Sequence, residues 1–383
     1  MPDPADGPER APESGRRPVQ IDPQSRPTLD DVARRAGVSR SAASRAMNNA
    51  RHVSAAKREA VERAARELGY VPNATARALA TSRAGSVVLA VVNENPEFLA
   101  DPLFSQVMVG VATALERSEI DLTLMLVSSA ASRARLERVL RSRRSDGVML
   151  MALRGDDPLN QVVETTGLPV VLCGRPMSGE PRWYVDADNR GGARQGTEHL
   201  LATGRRRIAT ITGPMDLEAA VARYRGFADA MAVAGLRGDR VAHADFTDAG
   251  GFQAMTALLA AHPDLDAVLV ASDNMAAGAV RALQAHGLSV PEDVAVVGFD
   301  DLAIAQQTAP TLTTISQPIQ ALGHEMATML LRLMDGESPS PIILPTHLVV
   351  RGSAPGVPDA VLPGPTYGRE EPRDDRAAPP TEH

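Results

Sequence analysis

The twenty residues 28–47 read TLDDVARRAGVSRSAASRAM, and they decide the fold of the N-terminal part of the chain. Thr28 and Asp31 are spaced as a capping pair for a helix that extends through Ala36. Gly37 ends that helix, because glycine readily adopts the left-handed conformation that follows a last helical turn. The stretch therefore begins with one short helix that is closed at both ends.

The second half of this stretch predicts a turn and another helix. Val38 places an apolar side chain in the turn, and Ser39 can cap a helix that runs from Arg40 to about Met47. Ala33 is small, and a large side chain there would push the two helices apart. Two helices joined by a short turn that contains glycine indicate a helix-turn-helix motif, although the pattern alone also fits an unrelated three-helix segment.

A third helix completes this module. Ser54 can cap it, residues 55–68 form it, and Gly69 closes it. We therefore expect a small all-α domain over residues 27–70. Its predicted core combines apolar residues from the three helices and the turn, namely Leu29, Val32, Ala33, Ala36, Val38, Ala43, Met47, Val61, Ala65 and Leu68.

Beyond this module the composition changes abruptly. Residues 1–26 and 353–383 are rich in proline and charge and poor in apolar side chains, so we expect both to be disordered tails. Residues 71–84 form an alanine-rich linker in which Pro72 occupies the first position of a short helix. A helix of about two turns is too short to be stable alone. The linker is therefore either a hinge helix that forms on docking or an ordinary connection.

From Gly85 onward, β-branched apolar runs alternate with helical segments, and the alternation repeats after about Asp186. Such alternation predicts parallel sheets with helices on both faces, here in two successive lobes with a cleft between them. The predicted strands are 86–92, 122–126, 147–151, 170–172, 208–212, 241–244, 267–271 and 294–298, and the predicted helices are 104–117, 136–141, 191–202, 222–234, 251–261 and 275–286.

Composition excludes several classes of protein. The chain has 383 residues and one cysteine, Cys173, so it holds neither a disulfide framework nor an all-cysteine zinc site. It contains no apolar run of membrane-spanning length, no signal-peptide core, no phosphate loop and no histidine pair with metal-ligand spacing. We expect a cytoplasmic protein that is not an enzyme, binds no metal or cofactor and contacts no membrane. An exported solute-binding protein would need a signal peptide and would lack the helix-turn-helix.

Charge is distributed unevenly along the chain. Residues 28–84 hold eleven Lys and Arg and five Asp and Glu, a balance of +6, so the remainder of this −7 chain carries −13. A basic module on an acidic body suggests a contact with nucleic acid or another polyanion. On charge alone, a solvated helical face with surplus arginine accounts for the pattern equally well.

Several runs of residues together resemble the lactose-repressor/galactose-repressor (LacI/GalR) family over residues 28–352. In the module they are residues 28–39, 44–45, 53–54, 68–70 and 72–73, and in the body SDNMAAG (272–278), PEDV (291–294), VGFDD (297–301) and LTTI (312–315).

The resemblance implies a helix-turn-helix domain joined by a hinge helix to an α/β two-lobed core with parallel, Rossmann-like sheets, similar to periplasmic binding proteins. The core would cover residues 85–352, with lobe 1 at about 85–185 and 302–330 and lobe 2 at about 186–301 and 331–352.

In function, the resemblance implies a homodimeric transcriptional repressor of carbohydrate uptake or catabolism genes. It would bind a pseudo-palindromic double-stranded DNA operator and be released by a small-molecule effector, a sugar or oligosaccharide. The alternative is a regulator of the same family that uses a co-repressor or acts as an activator, with a non-sugar or phosphorylated effector.

The predicted DNA contacts centre on the second helix. Arg40, Ser41 and Arg45 project from it, and arginine and serine can bond to base edges. Arg51 and Lys57 could hold the flanking phosphates, and the resemblance places Leu79 as a wedge between bases of the minor groove. The complete predicted set is Thr28, Ser39, Arg40, Ser41, Ser44, Arg45, Asn48, Arg51, Ser54, Lys57, Asn73, Arg77 and Leu79.

The predicted effector site lies beyond the carboxyl ends of the strands. Arg175, Ser272, Asp273 and Asp300 follow predicted strands, and the resemblance implies effector-binding positions at Arg223, Ser272, Asp273 and Asp300. Phe104 and Trp183 could supply an apolar face for a sugar ring. Arg and Asp each present two coplanar hydrogen-bonding groups, which suit vicinal sugar hydroxyls. Four of these residues could instead serve the fold: Asp273 as a helix N-cap, Phe104 as core, Trp183 as a surface or interface aromatic, and Arg175 in an ion pair between the lobes.

Overall fold

The computed structural model describes residues 27–47, 53–71, 83–93, 101–142, 144–152, 154–155, 157–177 and 183–356. Its contacts divide the chain into two compact units, one that ends at Gly85 and one that begins at Ser86.

The first unit contains the three predicted helices, α1 (Leu29–Ala36), α2 (Arg40–Met47) and α3 (Ala55–Leu68). The predicted capping pair is confirmed, because the Thr28 hydroxyl accepts from the Asp31 backbone N–H and the Asp31 carboxylate accepts from that of Thr28. Gly37 and Gly69 end α1 and α3 in the left-handed conformation, at φ of 67° and 63°. Ser54 occupies the N-cap of α3, but its side chain forms no capping hydrogen bond.

These helices share one small core. Val32, Ala43 and Val61 are completely buried at its centre, and every predicted core residue belongs to it or packs against it. The buried residues are mostly alanine and valine, so the helix backbones approach closely and the space between them admits little extra volume.

The second unit consists of two α/β lobes. Lobe 1 contains β1 (Ser86–Val92), α4 (Pro102–Leu115), β2 (Asp121–Val127), α5 (Ala130–Arg141), β3 (Gly147–Met151), α6 (Leu159–Thr165), β4 (Val170–Cys173), β5 (Tyr184–Ala187), α11 (Ile319–Met334) and β11 (Ile342–Leu344). Its sheet has the order β11-β5-β4-β3-β1-β2, and all of its strand pairs are parallel. The predicted parallel sheet is confirmed in this lobe.

Lobe 2 has the same architecture. It contains α7 (Asn189–Ala202), β6 (Ile208–Thr212), α8 (Glu218–Val233), β7 (Val241–His243), α9 (Asp248–Ala261), β8 (Ala267–Val270), α10 (Asp273–Ala285), β9 (Ala295–Asp300), a 3-10 turn (Ala303–Gln306), β10 (Thr313–Ser316) and β12 (His347–Val349). Its sheet has the order β12-β10-β9-β8-β6-β7, parallel except for the β10–β12 pair.

The chain crosses between the lobes three times, at residues 188, 317–318 and 345–346. The sequence-based lobe boundaries at 301 and 330 are therefore wrong. Strand β10 pairs with β9 and its Ile315 is buried in the lobe 2 core, which keeps residues 313–316 in lobe 2. Strand β11 pairs with β5, which keeps residues up to Leu344 in lobe 1.

The predicted start of the C-terminal tail at residue 353 is also wrong. Ser353 and Ala354 are buried in lobe 2. The Ser353 hydroxyl donates to the Val296 carbonyl at 2.6 Å and accepts from the Thr313 backbone N–H at 2.8 Å. These bonds satisfy buried backbone groups at the sheet, so the ordered chain extends past residue 352.

Helices α4 and α11 pack in lobe 1 through a pair of glycines. A Cβ atom at Gly110 would lie 1.9 Å from the Gln320 carbonyl oxygen, and one at Gly323 would lie 2.1 Å from that of Val107. The two backbones are therefore in direct contact, which allows a chain with 3% aromatic residues to pack without large side chains. Within the described residues, no helix has the length and apolar character that a membrane span requires.

Candidate functional site

One candidate site is the outer face of α2 in the first unit. Ala43 and Ala46 are buried, which leaves Ser41 and Arg45 exposed on the opposite side of the helix. The Ser39 hydroxyl accepts from the Ala42 backbone N–H at 3.2 Å, so Ser39 caps α2 as predicted. The N-terminal end of α2 therefore presents exposed polar side chains beside backbone N–H groups, an arrangement suited to an anion.

The basic residues of this unit differ in their partners. Arg35 pairs with Glu67 at 2.6 Å, and Arg40 approaches Asp30 at 3.4 Å. Arg45 and Lys57 are exposed and form no salt bridge with any residue that the structure describes, and Arg45 donates only to the Ser41 carbonyl, at 3.2 Å. Their charges are therefore available to a polyanion.

Three further predicted DNA contacts lie in the same unit: Thr28 and Ser54 are exposed and Ser44 is half-buried. The predicted contacts Asn48, Arg51, Asn73, Arg77 and Leu79 lie outside the described residues, as does most of the predicted hinge helix.

The second candidate site is a cavity between the two lobes. It is lined from lobe 1 by Asp101, Leu103, Phe104, Met151, Ala152, Cys173, Gly174, Arg175, Asp186 and Leu322, from lobe 2 by Asn189, Leu217, Glu218, Ala219, Arg223, Phe246 and Asp300, and at a crossing by Gln317. Four of the seven predicted effector residues are among them, Phe104, Arg175, Arg223 and Asp300. Strands β3, β4 and β9 end at this cavity, as expected for a ligand site in open α/β sheets.

Arg223 is the most constrained charge in the cavity. It projects from α8 and is 6% exposed. Its Nε donates to the Asn189 side-chain oxygen at 2.9 Å, one Nη donates to the Ala271 carbonyl, and the same Nη lies 3.2 Å from Asp300 Oδ1. The guanidinium carbon also lies 3.7 Å from the centre of the Phe299 ring. These contacts hold the arginine in one orientation before any ligand arrives.

Asp300 is held beside Arg223 by its backbone and by Gln317. The residue adopts φ of 109°, a conformation that costs free energy in a non-glycine residue and is typical of functional sites. The Gln317 amide donates to Asp300 Oδ1 at 2.6 Å. Burial raises the pKa of Asp300 to about 7, although Arg223 acts in the opposite direction.

The lobe 1 wall carries a second set of polar groups. Arg175 donates to the Tyr184 hydroxyl at 2.7 Å, and Tyr184 is itself buried. Asp186 Oδ1 accepts from the Ala187 backbone N–H and from the Asn189 amide, at 2.9 and 3.0 Å. Burial raises the pKa of Asp186. Arg175 lines the cavity, and its charge also acts on the pKa of Glu218 in lobe 2, so the ion pair between the lobes stays a prediction beside the contact with Tyr184.

Three predicted effector residues lie outside the cavity lining. Ser272 caps α10 by accepting from the Met275 backbone N–H at 3.3 Å. Asp273 is fully buried, where its carboxylate accepts from the Thr314 hydroxyl at 2.6 Å and the Leu302 backbone N–H at 2.8 Å. Trp183 packs against the lobe 1 core. The structure does not bring these three residues into the cavity lining, so their role as effector ligands stays a prediction.

Two contacts join the lobes at the edges of the cavity. Asp101 of lobe 1 caps α4 and also accepts from the Asn274 amide of lobe 2 at 3.1 Å. Arg154 of lobe 1 forms a salt bridge with Asp216 of lobe 2, whose carbonyl accepts from the Gly155 backbone N–H at 3.0 Å. These contacts therefore hold the two lobes together near the cavity.

Several polar residues of the cavity were not predicted from the sequence, namely Asp101, Asp186, Asn189, Glu218 and Gln317. Asp101 had a detectable signal, because an aspartate directly before Pro102 is typical of a helix N-cap. Asp186 lies within β5, a strand that was not predicted from the sequence, and Asn189 begins the helix that follows it.

The buried carboxyl groups make stability depend on pH. Asp300 titrates near pH 4 when unfolded and near pH 7 when folded, so the folded state binds the additional proton between these values. Stability from this group is complete below about pH 4 and is lost as the pH rises through about 7. Asp101, Asp186, Glu218 and Asp273 also have raised pKa values, through burial, and act in the same direction.

We therefore expect the melting temperature of the protein to fall between pH 5.5 and 8, and Asp300→Asn to reduce that fall. Differential scanning calorimetry at the two pH values measures it, with Asp239→Asn at an exposed position as the control. An unchanged fall in Asp300→Asn would show that Asp300 does not hold the proton.

Comparison with known proteins finds relatives of both units. Residues 28–73 match the family model described as bacterial regulatory proteins, lacI family, and residues 197–354 match that of a periplasmic binding protein-like domain. The transcriptional regulator CelR of Thermobifida fusca is 45% identical over 334 residues, which cover 86% of this chain and 98% of CelR. The ribose operon repressor of Escherichia coli K12 is 36% identical over 307 residues, 78% of this chain and 90% of that protein.

Solved structures give the same result. A CelR–cellobiose complex superposes with a TM-score of 0.68 at 43% identity, covering 86% of this chain and all of that one. A lac repressor dimer bound to operator and the anti-inducer ONPF superposes with a TM-score of 0.76 at 30% identity, covering 87% of this chain and all of that one. With a helix-turn-helix unit, a two-lobed core and relatives aligned over most of its length, the chain belongs to the LacI family of bacterial regulatory proteins.

Proposed function

We propose that the protein is a cytoplasmic, sequence-specific DNA-binding repressor of carbohydrate uptake or catabolism genes, released from its operator by a sugar or oligosaccharide. The observation that carries this proposal is one chain that joins an α2 face with exposed Arg45 to a core whose cleft holds the preorganised Arg223–Asp300 pair. The first binds DNA and the second binds the effector. Members of this family are regulators and not enzymes.

The charge of the cleft supports a neutral effector. Asp101, Asp186, Glu218 and Asp300 supply four carboxyl groups, against the two guanidinium groups of Arg175 and Arg223. A phosphorylated ligand would add negative charge to a wall where burial already disfavours it.

Hydroxyl groups, by contrast, both donate and accept, so they suit carboxylates and guanidinium groups together. Phe104, Phe246 and Leu322 add apolar surface for the C–H face of a sugar ring. Because the relative CelR was solved with cellobiose, cellobiose is the first effector to test.

Exposed apolar residues support a homodimer. Leu124 and Leu126 lie on β2, the edge strand of the lobe 1 sheet, and are 46% and 49% exposed. Val109 on α4 is 51% exposed. A second copy of the chain would cover this apolar surface, which is otherwise a liability on an edge strand. The two helix-turn-helix units of one dimer would then require an operator with two related half-sites.

The proposal is tested by gel-shift titration of the protein on DNA from upstream of its own gene and neighbouring sugar genes. Cellobiose should release the complex, whereas glucose 6-phosphate should not. A complex that forms only in the presence of a phosphorylated sugar would favour the alternative, a co-repressor-dependent regulator. Sedimentation of the free protein should give the mass of a dimer.

Replacing Arg45 with alanine should relax base preference. An arginine reads guanine through two hydrogen bonds, so its loss should reduce discrimination against the wrong base by about 1–3 kcal/mol. Gel shifts over a panel of single-base operator variants measure this difference.

Lys57→Ala is the matched control. The loss of a phosphate contact should weaken binding to all sequences nearly alike, and it should reduce the slope of log affinity against log salt concentration by about one. If Arg45→Ala retained full base preference, α2 would not be the recognition helix.

A further inference from the structure

Glu218 lies between the cavity described above and a second cavity that shares part of its lining. We call the first cavity the front chamber. The second, the rear chamber, has Asp188, Arg190, Ala222 and Arg225 in its wall. Glu218 lines both chambers, and it is the first residue of α8.

The Glu218 carboxylate is only partly satisfied. Its side chain is 17% exposed, and Oε1 lies 3.9 Å from an Nη atom of Arg225. The other oxygen, Oε2, is buried and has no hydrogen-bond partner among the residues that the structure describes. A buried carboxylate oxygen without a donor is unfavourable, and burial accordingly raises the pKa of Glu218. A small rotation of the side chain would present this oxygen to a chamber, where a ligand hydroxyl would supply the donor that the protein lacks.

The two chambers differ in their chemistry. The front chamber combines polar groups with Phe104, Phe246 and Leu322, whereas the rear chamber is lined mainly by arginine and acidic side chains. The front chamber therefore suits a ring that stacks on apolar surface, and the rear chamber suits hydroxyl groups that need many hydrogen-bond partners.

The geometry points to Glu218 as a specificity-determining residue that selects a two-ring sugar over a one-ring sugar. One ring occupies the front chamber at Arg223 and Asp300, the second extends into the rear chamber, and a hydroxyl at the junction donates to Glu218 Oε2. This inference rests on the proposed sugar-responsive function and names the size class of the effector.

Isothermal titration calorimetry with cellobiose and glucose tests the inference on the full-length protein. Glu218→Ala should weaken cellobiose binding at least about tenfold and glucose binding less than about threefold, because only the longer sugar uses Oε2. Glu218→Gln should restore part of the loss, since its amide oxygen still accepts. Glu164→Ala, at an exposed position of α6, is the control.

Two further measurements separate a ligand contact from a structural role. Without sugar, Glu218→Gln should melt at the same temperature as the wild-type protein or higher, because it removes an unpaired buried carboxylate; a lower melting temperature would indicate a structural role and overturn the assignment. Ala222→Leu fills the rear chamber without changing charge, and it should also weaken cellobiose more than glucose.

The two ways in which the inference can fail are distinguishable. If the wild-type protein bound neither sugar, the sugar-responsive function and the role of Glu218 would both be rejected. If it bound cellobiose, but Glu218→Ala and Ala222→Leu kept the wild-type ratio of cellobiose to glucose affinity, only the two-chamber assignment would be rejected.

Discussion

Arg223→Ala should reduce effector affinity at least about 100-fold while operator affinity stays within about twofold of wild type, because the effector loses hydrogen bonds from a charged donor, each worth about 1.5–3 kcal/mol. The variant loses the group that orients Asn189 and neutralises Asp300. Calorimetry with cellobiose measures the loss, and a gel shift in the presence and absence of sugar should show an operator complex that no longer dissociates.

Arg194→Ala is the matched control, since Arg194 lies on α7 and forms only an exposed pair with Glu198. The melting temperature of each variant establishes that it is folded. Wild-type cellobiose affinity in a folded Arg223→Ala protein would remove Arg223 from the effector site.

Ala33→Leu should eliminate operator binding and leave effector binding unchanged. Ala33 is 4% exposed within α1, and its carbonyl accepts from the backbone N–H of Val38 in the turn at 3.0 Å. Three added carbon atoms overpack the core by about 1–3 kcal/mol, a large fraction of the stability of so small a unit. Gel shift and cellobiose calorimetry on the same preparation measure both activities.

Ala56→Leu makes the same substitution at an exposed position of α3 and should bind operator normally. Operator binding by Ala33→Leu at wild-type affinity would mean that α1 and α2 do not require a small residue at their contact.

Local signals made the helix-turn-helix unit predictable. Its caps, glycine stops and alanine positions act over a few residues, and each is visible in the sequence. The long strands of the body were equally clear, so β1, β3 and β6 have the predicted bounds. Strands β5, β10, β11 and β12 were not predicted, and each is held by pairing with a neighbouring strand. Strands β4, β7 and β8 are equally short, but their apolar runs made them visible in the sequence.

The cleft was only half predictable for a related reason. Arg223 and Asp300 lie in sequence motifs that match the family, and the structure places them 3.2 Å apart. Asp273 lies in an equally distinctive motif but turns into the core toward Thr314. Glu218 lies in no motif, and its unsatisfied oxygen appears only when α8 is placed against the lobe 1 wall.

The last crossing between the lobes determines how the core unfolds. Strands β11 and β12 are separated by only Pro345 and Thr346, yet one completes the lobe 1 sheet and the other the lobe 2 sheet. Neither lobe is a continuous stretch of chain, so neither can be produced alone by cutting the gene once. We expect the core to denature in a single cooperative transition. Truncation after residue 340 would remove the edge strand β11 from one sheet and the edge strand β12 from the other. The loss of this short segment should therefore destabilise both lobes.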